Sequence, residues 1–203
     1  MAEIWALLIQ EIADEPVLPF DIEAYAREVN GYVKQLKSDV EEKEKGNGRG
    51  NGDIAGERGW ERENKLDLSA LEEAAEGFTK NAADFKAWEH NWTLREMGIP
   101  EYNPMLEPRV LAIERISRNH RMSNFDTHLL DLPGPDAGRV GGIPGREQFK
   151  HVVFGPQLWS GYEEAYFPGI RDAFFEYGNV TLAQEWVGIV AGVLGHASWK
   201  LVN

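Results

Sequence analysis

The sequence predicts an all-α protein, a helical bundle with long loops and at most a short β segment. Several segments carry apolar residues at three- and four-residue steps, the spacing that places side chains on one face of a helix. Stretches rich in glycine, proline and charge separate these segments, as is typical of loops between helices. The chain has 203 residues, 42% of them apolar, so it can bury one sizeable core.

Two long helices are predicted in the first half of the chain. Residues 1–16 are expected to form a linker helix or the end of a preceding region, and Asp21 is the expected N-cap of the first long helix. Residues from about 41 to 64 are polar and glycine-rich, which predicts a flexible surface loop. A second long helix, able to pair with the first, is expected over 69–92. The apolar stripe of the first helix consists of Ile22, Tyr25, Ala26, Val29, Val33, Leu36 and Val40.

The second half combines further helices with a long loop. A third helix is predicted over 109–122, and residues 131–146 are so rich in proline and glycine that an extended loop is expected. The β-branched and aromatic run at 149–154 predicts a short strand. Pro168 suits the first turn of a helix, and Thr181 is the expected cap of a final helix that runs to about residue 201.

The final helix is apolar on more than one side, which predicts that it packs against more than one neighbour. Gly188, Gly192 and Gly195 each cost roughly 1 kcal/mol of helix propensity relative to alanine, but they let another backbone approach closely. The spacing leaves open whether that backbone belongs to the same chain or to a second copy. The candidates for contact across a dimer interface are Trp186, Val187, Val190, Val193 and Leu194.

Charge and composition argue against several functions. A net charge of −13 would repel nucleic acid and anionic lipid, so neither is an expected partner. The absence of cysteine excludes disulfides and thiolate chemistry. The histidines are scattered without metal-ligand spacing, so no metal site or cofactor is expected in this chain, and His151 is expected to make structural hydrogen bonds. Polar residues in the final helix leave too short an apolar run for a membrane span.

Three blocks of the sequence, together with a short connector, resemble a known family. The blocks are Gly-Ile-Pro-Gly-Arg at 142–146, Phe-Lys-His-Val-Val-Phe-Gly-Pro at 149–156 and Tyr-Phe-Pro-Gly-Ile-Arg-Asp-Ala-Phe-Phe at 166–175. Their order and gaps are similar to those in the C-terminal dimerisation domain of the transferrin receptor and glutamate carboxypeptidase family. Residues 17–21, Val-Leu-Pro-Phe-Asp, look like the family's connector into its first bundle helix. The resemblance covers nearly the whole chain apart from the glycine-rich loop.

The resemblance implies that residues 17–203 are a helical homodimerisation domain and that residues 1–16 end a preceding peptidase domain. Family members bind two zinc ions through that peptidase domain, so this chain is expected to be non-catalytic. Its full-length parent protein would be a zinc-peptidase homologue anchored in a membrane upstream. The domain itself would be soluble, would contact its own peptidase domain, and would lie on the lumenal or extracellular side.

Tyr162 is the one substrate-pocket candidate that the resemblance implies. The family's loop before Phe-Pro-Gly-Ile carries a Lys-Tyr pair that grips substrate carboxylates, and the matching residues here are Gly161 and Tyr162. Tyr162 retains a phenolic hydroxyl, whereas Gly161 supplies no cation, so recognition of a C-terminal glutamate is not implied. The alternative role for Tyr162 is packing at the junction between domains.

Two sequons, Asn91-Trp92-Thr93 and Asn179-Val180-Thr181, make Asn91 and Asn179 glycosylation candidates in a secretory lumen. Asn179 is the better placed of the two because it lies at a loop-to-helix junction. The leading functional hypothesis is a homodimerisation module. The alternatives are a domain that completes the substrate pocket of an active zinc carboxypeptidase or aminopeptidase, and the ligand-binding bundle of a non-catalytic receptor.

Overall fold

The computed structural model of the chain describes residues 2–47, 65–96, 105–159 and 164–203, and nearly all of its regular structure is helical. A 3-10 turn at Asp126–Leu129 and a π-helical turn at Asp172–Glu176 accompany the α-helices. Two short antiparallel strands, β1 (Phe154–Pro156) and β2 (Glu164–Tyr166), form the one sheet in the described part of the chain. The all-α prediction, with at most a short β segment, is therefore confirmed. The helices are α1 (Ala2–Asp14), α2 (Ile22–Asn47), α3 (Ser69–Glu96), α4 (Arg109–Asn124), α5 (Pro168–Arg171) and α6 (Val180–Val202).

The core lies between α2, α3 and α6. The predicted stripe on α2 is buried along its whole length except at Tyr25, which is half-buried and packs edge-on against the rings of Phe78 and Phe125. As predicted, the Asp21 carboxylate begins α2 by accepting a hydrogen bond from the Ala24 amide at 2.9 Å. Burial of apolar stripes from three helices supplies the main driving force for this fold.

Helices α3 and α6 run parallel and make the most extensive contact between any two elements. The amide of Asp67, just before α3, donates to the Gln184 side chain near the start of α6 at 2.9 Å. Further along both helices, the Asn81 amide donates to the Ser198 hydroxyl at 2.8 Å. These two bonds fix the register in which the apolar faces of α3 and α6 meet.

Helix α2 continues to Asn47, beyond the point near residue 41 at which the flexible loop was predicted to begin. Glutamate and lysine are good helix formers, and two of them tie this last turn to the bundle. The Lys43 ammonium donates to the carbonyl of Phe174 at 2.7 Å, and the Glu44 carboxylate accepts from the Leu66 amide at 3.3 Å. The remainder of the predicted loop, residues 48–64, lies outside the described residues.

The strand predicted over 149–154 is wrong in position, because β1 begins only at Phe154. The backbone turns before that residue, where the amides of Val153 and Phe154 both donate to Nδ1 of His151, at 3.2 and 3.0 Å. The other ring nitrogen of His151 lies 3.2 Å from an oxygen of Asp126. These contacts confirm the structural hydrogen-bonding role expected of His151.

Asp131 holds the proline- and glycine-rich loop together from within. Its buried carboxylate accepts from the Arg139 guanidinium at 2.6 and 2.7 Å and from the Gly142 amide at 2.9 Å. Burial opposes ionisation, but these donors outweigh it and hold the pKa of Asp131 below its usual range. Gly142 has a φ of +100°, and a Cβ there would lie 2.4 Å from the Glu147 carbonyl oxygen, so only glycine fits.

A buried ion pair between Arg146 and Asp172 joins this loop to the turn after α5. Arg146 also donates to the Pro156 carbonyl at 2.7 Å, which ties the end of β1 to the same point. Burial raises the pKa of the Asp172 carboxyl, and the Arg146 cation only partly offsets that rise. The three resemblance blocks therefore meet at one buried contact.

Pro168 occupies the first turn of α5, as predicted, and brings α5 against α6. A Cβ on Gly169 would lie 2.4 Å from the indole ring of Trp186, so the absence of a side chain permits this close packing. Helix α6 then begins at Val180, and its cap differs from the prediction. The N-cap is Asn179, whose Oδ1 accepts from the Leu182 amide at 3.0 Å, whereas Thr181 lies inside the first turn.

Candidate dimer interface

Helix α6 has an inward face that the bundle covers. Trp186, Val187, Val190 and Leu194 are buried in the chain's own core, and Val193 is partly buried against it. In this fold the same chain encloses the first four of these side chains. Their assignment to a dimer interface stays a prediction, and Val193 is the one nearest the surface.

The opposite face of α6 carries small and polar residues. Glu185, Gly188, Gly192, His196 and Trp199 are exposed and recur at three- and four-residue steps, so they form one stripe. The exposed fraction of Trp199 is 52%, and its ring lies close to that of His196, with centroids 6.4 Å apart. We call this set the outer stripe of α6.

The glycines of α6 meet no close neighbour among residues 2–47, 65–96, 105–159 and 164–203. A Cβ built on Gly188, Gly192 or Gly195 would find no heavy atom within 4 Å. Of the three, Gly195 lies beside small residues of α3, where the two helices border a groove of about 430 Å³. The groove is lined by Ala70, Glu73, Ala74, Gly77, Asn81, Gly195, Ser198 and Trp199.

Helix α4 has its polarity reversed relative to an ordinary surface helix. Its outward side exposes Val110 and Ile113, with exposed fractions of 76% and 59%, while Arg115 points inward and pairs with buried Glu107 at 2.8 Å. Arg118 lies over an aromatic ring of the bundle, 5.2 Å from the centroid of Trp88. An exposed apolar stripe of this kind marks a contact surface.

Helix α1 exposes a second apolar surface and is joined to α4 through its connector. The Pro16 carbonyl accepts a hydrogen bond from the Asn119 side-chain nitrogen at 2.9 Å. The Leu18 amide donates to the side-chain oxygen of Asn119 at 3.2 Å. The chain thus passes from α1 into the bundle beside α4. The exposed apolar residues of α1 are Ile4, Trp5, Leu7, Leu8, Ile9 and Ile12.

Of the other predicted site residues, Tyr162 lies outside the described residues. The nearby Trp159 has an exposed fraction of 81%, and its indole N–H donates to Glu176 at 2.8 Å. Asn91 is exposed near the C-terminal end of α3, and Asn179 is exposed at the start of α6. Oδ1 of Asn179 makes the helix cap, so the side-chain nitrogen of Asn179 takes no part in that contact.

Titratable groups do not gather into a metal-binding cluster in the parts of the chain that the structure describes. His128 and His196 are the nearest pair of histidines there, with ring centroids 6.1 Å apart and perpendicular planes. Burial lowers the pKa of His128, and electrostatic interactions with neighbouring His196 and Lys200 lower it further. A search of the described helices for one long and apolar enough to span a bilayer finds none.

Sequence comparison assigns this arrangement to a family. The model of the transferrin receptor-like dimerisation domain matches residues 66–202, which includes α3, α4, β1, β2, α5 and α6. The chain belongs to this family. It is a dimerisation domain, and the features described above are those of one protomer.

Full-length relatives place the domain within larger proteins. An inactive zinc metalloprotease of Schizosaccharomyces pombe is 28% identical over 97% of this chain and 20% of its own length. Proteins named probable glutamate carboxypeptidase from Arabidopsis thaliana and Zea mays are each 26% identical over 99% of this chain, and the matches cover 23% and 22% of those proteins. The chain therefore spans about a fifth of the length of these curated relatives.

Sequence reasoning missed the two outward surfaces. The three-residue spacing of Val110, Ile113 and Ile116 was visible, but it indicates a shared face without indicating which face looks into the core. The same limit applies to the outer stripe of α6. The alternation of buried Val190 with exposed Gly192 follows from where the neighbouring helices lie.

Proposed function

We propose that this domain holds two copies of a larger peptidase-like protein together and contributes no catalytic group of its own. The observation that supports the proposal is the dimerisation-domain match over 66–202 on a bundle whose outward faces are not covered by any residue that the structure describes. Dimerisation through a C-terminal bundle keeps the partner subunits in a fixed orientation. Apolar area removed from water at such a contact favours association, at about 25 cal/mol per Å².

Sedimentation equilibrium of the purified chain over a wide concentration range tests this function. We expect a reversible increase in mass from 22.9 kDa to twice that value. The dissociation should follow mass action, with no larger species. A mass of 22.9 kDa at every concentration would contradict the proposal.

We assign the apolar faces of α1 and α4 to contact with the peptidase domain of the same polypeptide. Helix α1 enters the bundle beside α4 through the bonds of Asn119 to the connector, so an upstream domain would lie next to both faces. Within the parent, that upstream domain would carry the two zinc ions, and the membrane anchor would lie further upstream. One relative is named an inactive zinc metalloprotease and others are named probable glutamate carboxypeptidases. A peptidase assay of the full-length parent is therefore needed to decide whether it is active.

We place the domain on the lumenal or extracellular side of a membrane, and glycosylation tests that location. The exposed Asn179 caps α6 through Oδ1, which leaves its nitrogen available for a glycan, whereas Asn91 sits within a regular helix. Mass spectrometry of glycopeptides from the parent protein made in the secretory pathway is expected to find a glycan at Asn179. A parent made in the secretory pathway with an unmodified Asn179 would contradict the expectation.

A second candidate function is completion of the substrate pocket of an active parent peptidase. The observation that favours it is the β1–β2 pair, whose strands flank Tyr162 in the sequence, together with the high exposure of Trp159 just after β1. Replacing Tyr162 by phenylalanine in the full-length protein removes only the phenolic hydroxyl. If the hydroxyl binds substrate, KM rises while the dimer mass is unchanged. An unchanged KM would exclude this role.

A further inference from the structure

Arg118 differs from Arg115 and Arg171 in what holds its side chain. Arg115 pairs with Glu107 at 2.8 Å, and Arg171 pairs with Asp39 at the same distance. The half-buried guanidinium of Arg118 forms no ion pair with any carboxylate in the part of the chain that the structure describes. Its N–H groups are therefore left without an acceptor among those residues.

Two aromatic rings of α3 hold this guanidinium in place. Its central carbon lies 5.6 Å from the ring centroid of Phe85 and 5.2 Å from that of Trp88. Attraction to the rings positions the cation, but the rings provide no oxygen to accept its N–H groups. A guanidinium is planar and carries its donors along its edge, an arrangement that matches the paired oxygens of a carboxylate or phosphate group.

Trp88 adds a second donor without an acceptor at the same place. The exposed fraction of Trp88 is 8%, and its indole Nε1–H has no hydrogen-bond partner among the described residues. Nearly all buried polar groups in folded proteins have a partner, so a buried N–H without one indicates an acceptor from outside the chain, such as water or an ion. Because Arg118 lies over this same indole, one small group can reach both sets of donors.

The charges around Arg118 favour an added anion. Burial lowers the pKa of Arg118, and the neighbouring Arg121 cation lowers it further. Glu114, one turn earlier on α4, offsets only part of this lowering. On the α3 side, Glu89 is already paired with Lys86 at 3.0 Å. The site therefore keeps positive charge within a chain whose net charge is −13.

We propose that the Arg118 guanidinium and the indole N–H of Trp88 form a binding site between α3 and α4 for one oxyanion, a carboxylate or a phosphate group. One oxygen of the anion accepts from the guanidinium while another accepts from the indole, and Arg121 adds positive charge nearby. Chloride has no second oxygen with which to bridge the two donors. The site is distinct from the proposed dimerisation function and does not depend on it.

Nuclear magnetic resonance of the ¹⁵N-labelled chain tests the site, because each indole N–H gives its own signal. The signal of Trp88 is identified by its loss in Trp88→Phe. Titration with sodium phosphate, and separately with sodium acetate, at neutral pH is expected to shift this signal along a saturable curve with a midpoint in the millimolar range. Sodium chloride at equal ionic strength is the control for screening and should leave the signal in place. Exposed Trp199 provides an indole signal that should not move.

Variants of α4 test which side chain binds the anion. Arg118→Gln removes the cation at a half-buried position, so the phosphate midpoint should rise at least about tenfold while the other indole signals keep their positions. Arg118→Lys keeps the charge but loses the planar pair of donors, so its midpoint should lie between those of the wild type and Arg118→Gln. Arg109→Gln, at the exposed start of the same helix, is the matched control and should leave the midpoint unchanged.

The two anions distinguish the source of the natural ligand. Binding of phosphate at least about tenfold tighter than that of acetate indicates a phosphate group, whereas comparable binding indicates a carboxylate. A Trp88 signal that does not move, that moves equally with chloride, or that still shifts with an unchanged midpoint in Arg118→Gln overturns the site, and water is then the partner of the buried indole. That result leaves the proposed dimerisation function intact, because the titration does not depend on the mass of the assembly.

Discussion

The described part of the chain leaves the outward faces of α4 and α6 uncovered, and the two faces are built in opposite ways. Helix α4 exposes large apolar side chains such as Val110 and Ile113, whereas α6 exposes glycine backbone between a few larger groups. The inward sides are reversed as well. Helix α6 buries aliphatic and aromatic side chains, while α4 turns Arg115 inward onto buried Glu107.

The difference shows that the two faces suit different partners. Large apolar side chains gain most from being covered over a broad area, as between domains of one polypeptide. Exposed glycines gain only from a close backbone approach, which a regular helix can provide. The α4 face is therefore suited to a broad contact such as one between domains, and the α6 face to the close approach of another backbone.

The largest expected effect distinguishes the two sides of α6. Val190→Asp places a carboxylate in the core and should reduce the free energy of unfolding by about 3–5 kcal/mol. Gly192→Ser, only two residues away but on the outer stripe, should change it by less than about 1 kcal/mol. Urea unfolding followed by circular dichroism measures both. Similar losses in the two variants would mean that the two faces of α6 are not distinct.

The next effect concerns the inverted polarity of α4. Arg115→Leu removes the guanidinium from Glu107, whose side chain is fully buried, and should cost about 3 kcal/mol. Arg109→Leu, at the exposed start of the same helix, is the control and should cost less than about 0.5 kcal/mol. Thermal unfolding of both variants provides the comparison. If Arg115→Leu proves neutral, the inward salt bridge does not hold α4 in place.

A smaller effect separates the structural role of Asn179 from its candidate role as a glycan acceptor. Asn179→Ala removes the helix cap and should lower the free energy of unfolding by about 1 kcal/mol. Asn179→Asp keeps a capping oxygen while it removes the sequon, so the unglycosylated protein should retain nearly full stability. Equal losses in the two variants would show that the cap bond to Leu182 contributes little.

The smallest effect is expected on the outward face of α4. Replacing Val110 and Ile113 by serine should change the stability of this chain by less than about 0.5 kcal/mol per site, because both side chains are already exposed. In the full-length parent the same changes should lower the melting temperature, since the upstream domain would cover them. An unchanged melting temperature in the parent would argue against that contact.

Several features of the fold could be predicted from the sequence. The stripe from Ile22 to Val40 fixed α2, and its burial follows from helical periodicity alone. The cap at Asp21 and the position of Pro168 were predicted because each depends on a residue and its immediate neighbours. The end of α2 was predicted too early because its last turn is held by contacts of Lys43 and Glu44 with distant parts of the chain.

The sequence by itself determined the helical class, the apolar stripes and the family, because these are recorded in local spacing and in the order of the resemblance blocks. Only the tertiary structure decided which side of each helix is covered. Trp186 and Val190 became core because α3 and α5 pack against them, and Gly192 became surface because none of the described residues packs against it. Periodicity defines a face, but burial of that face depends on what the rest of the chain brings to it.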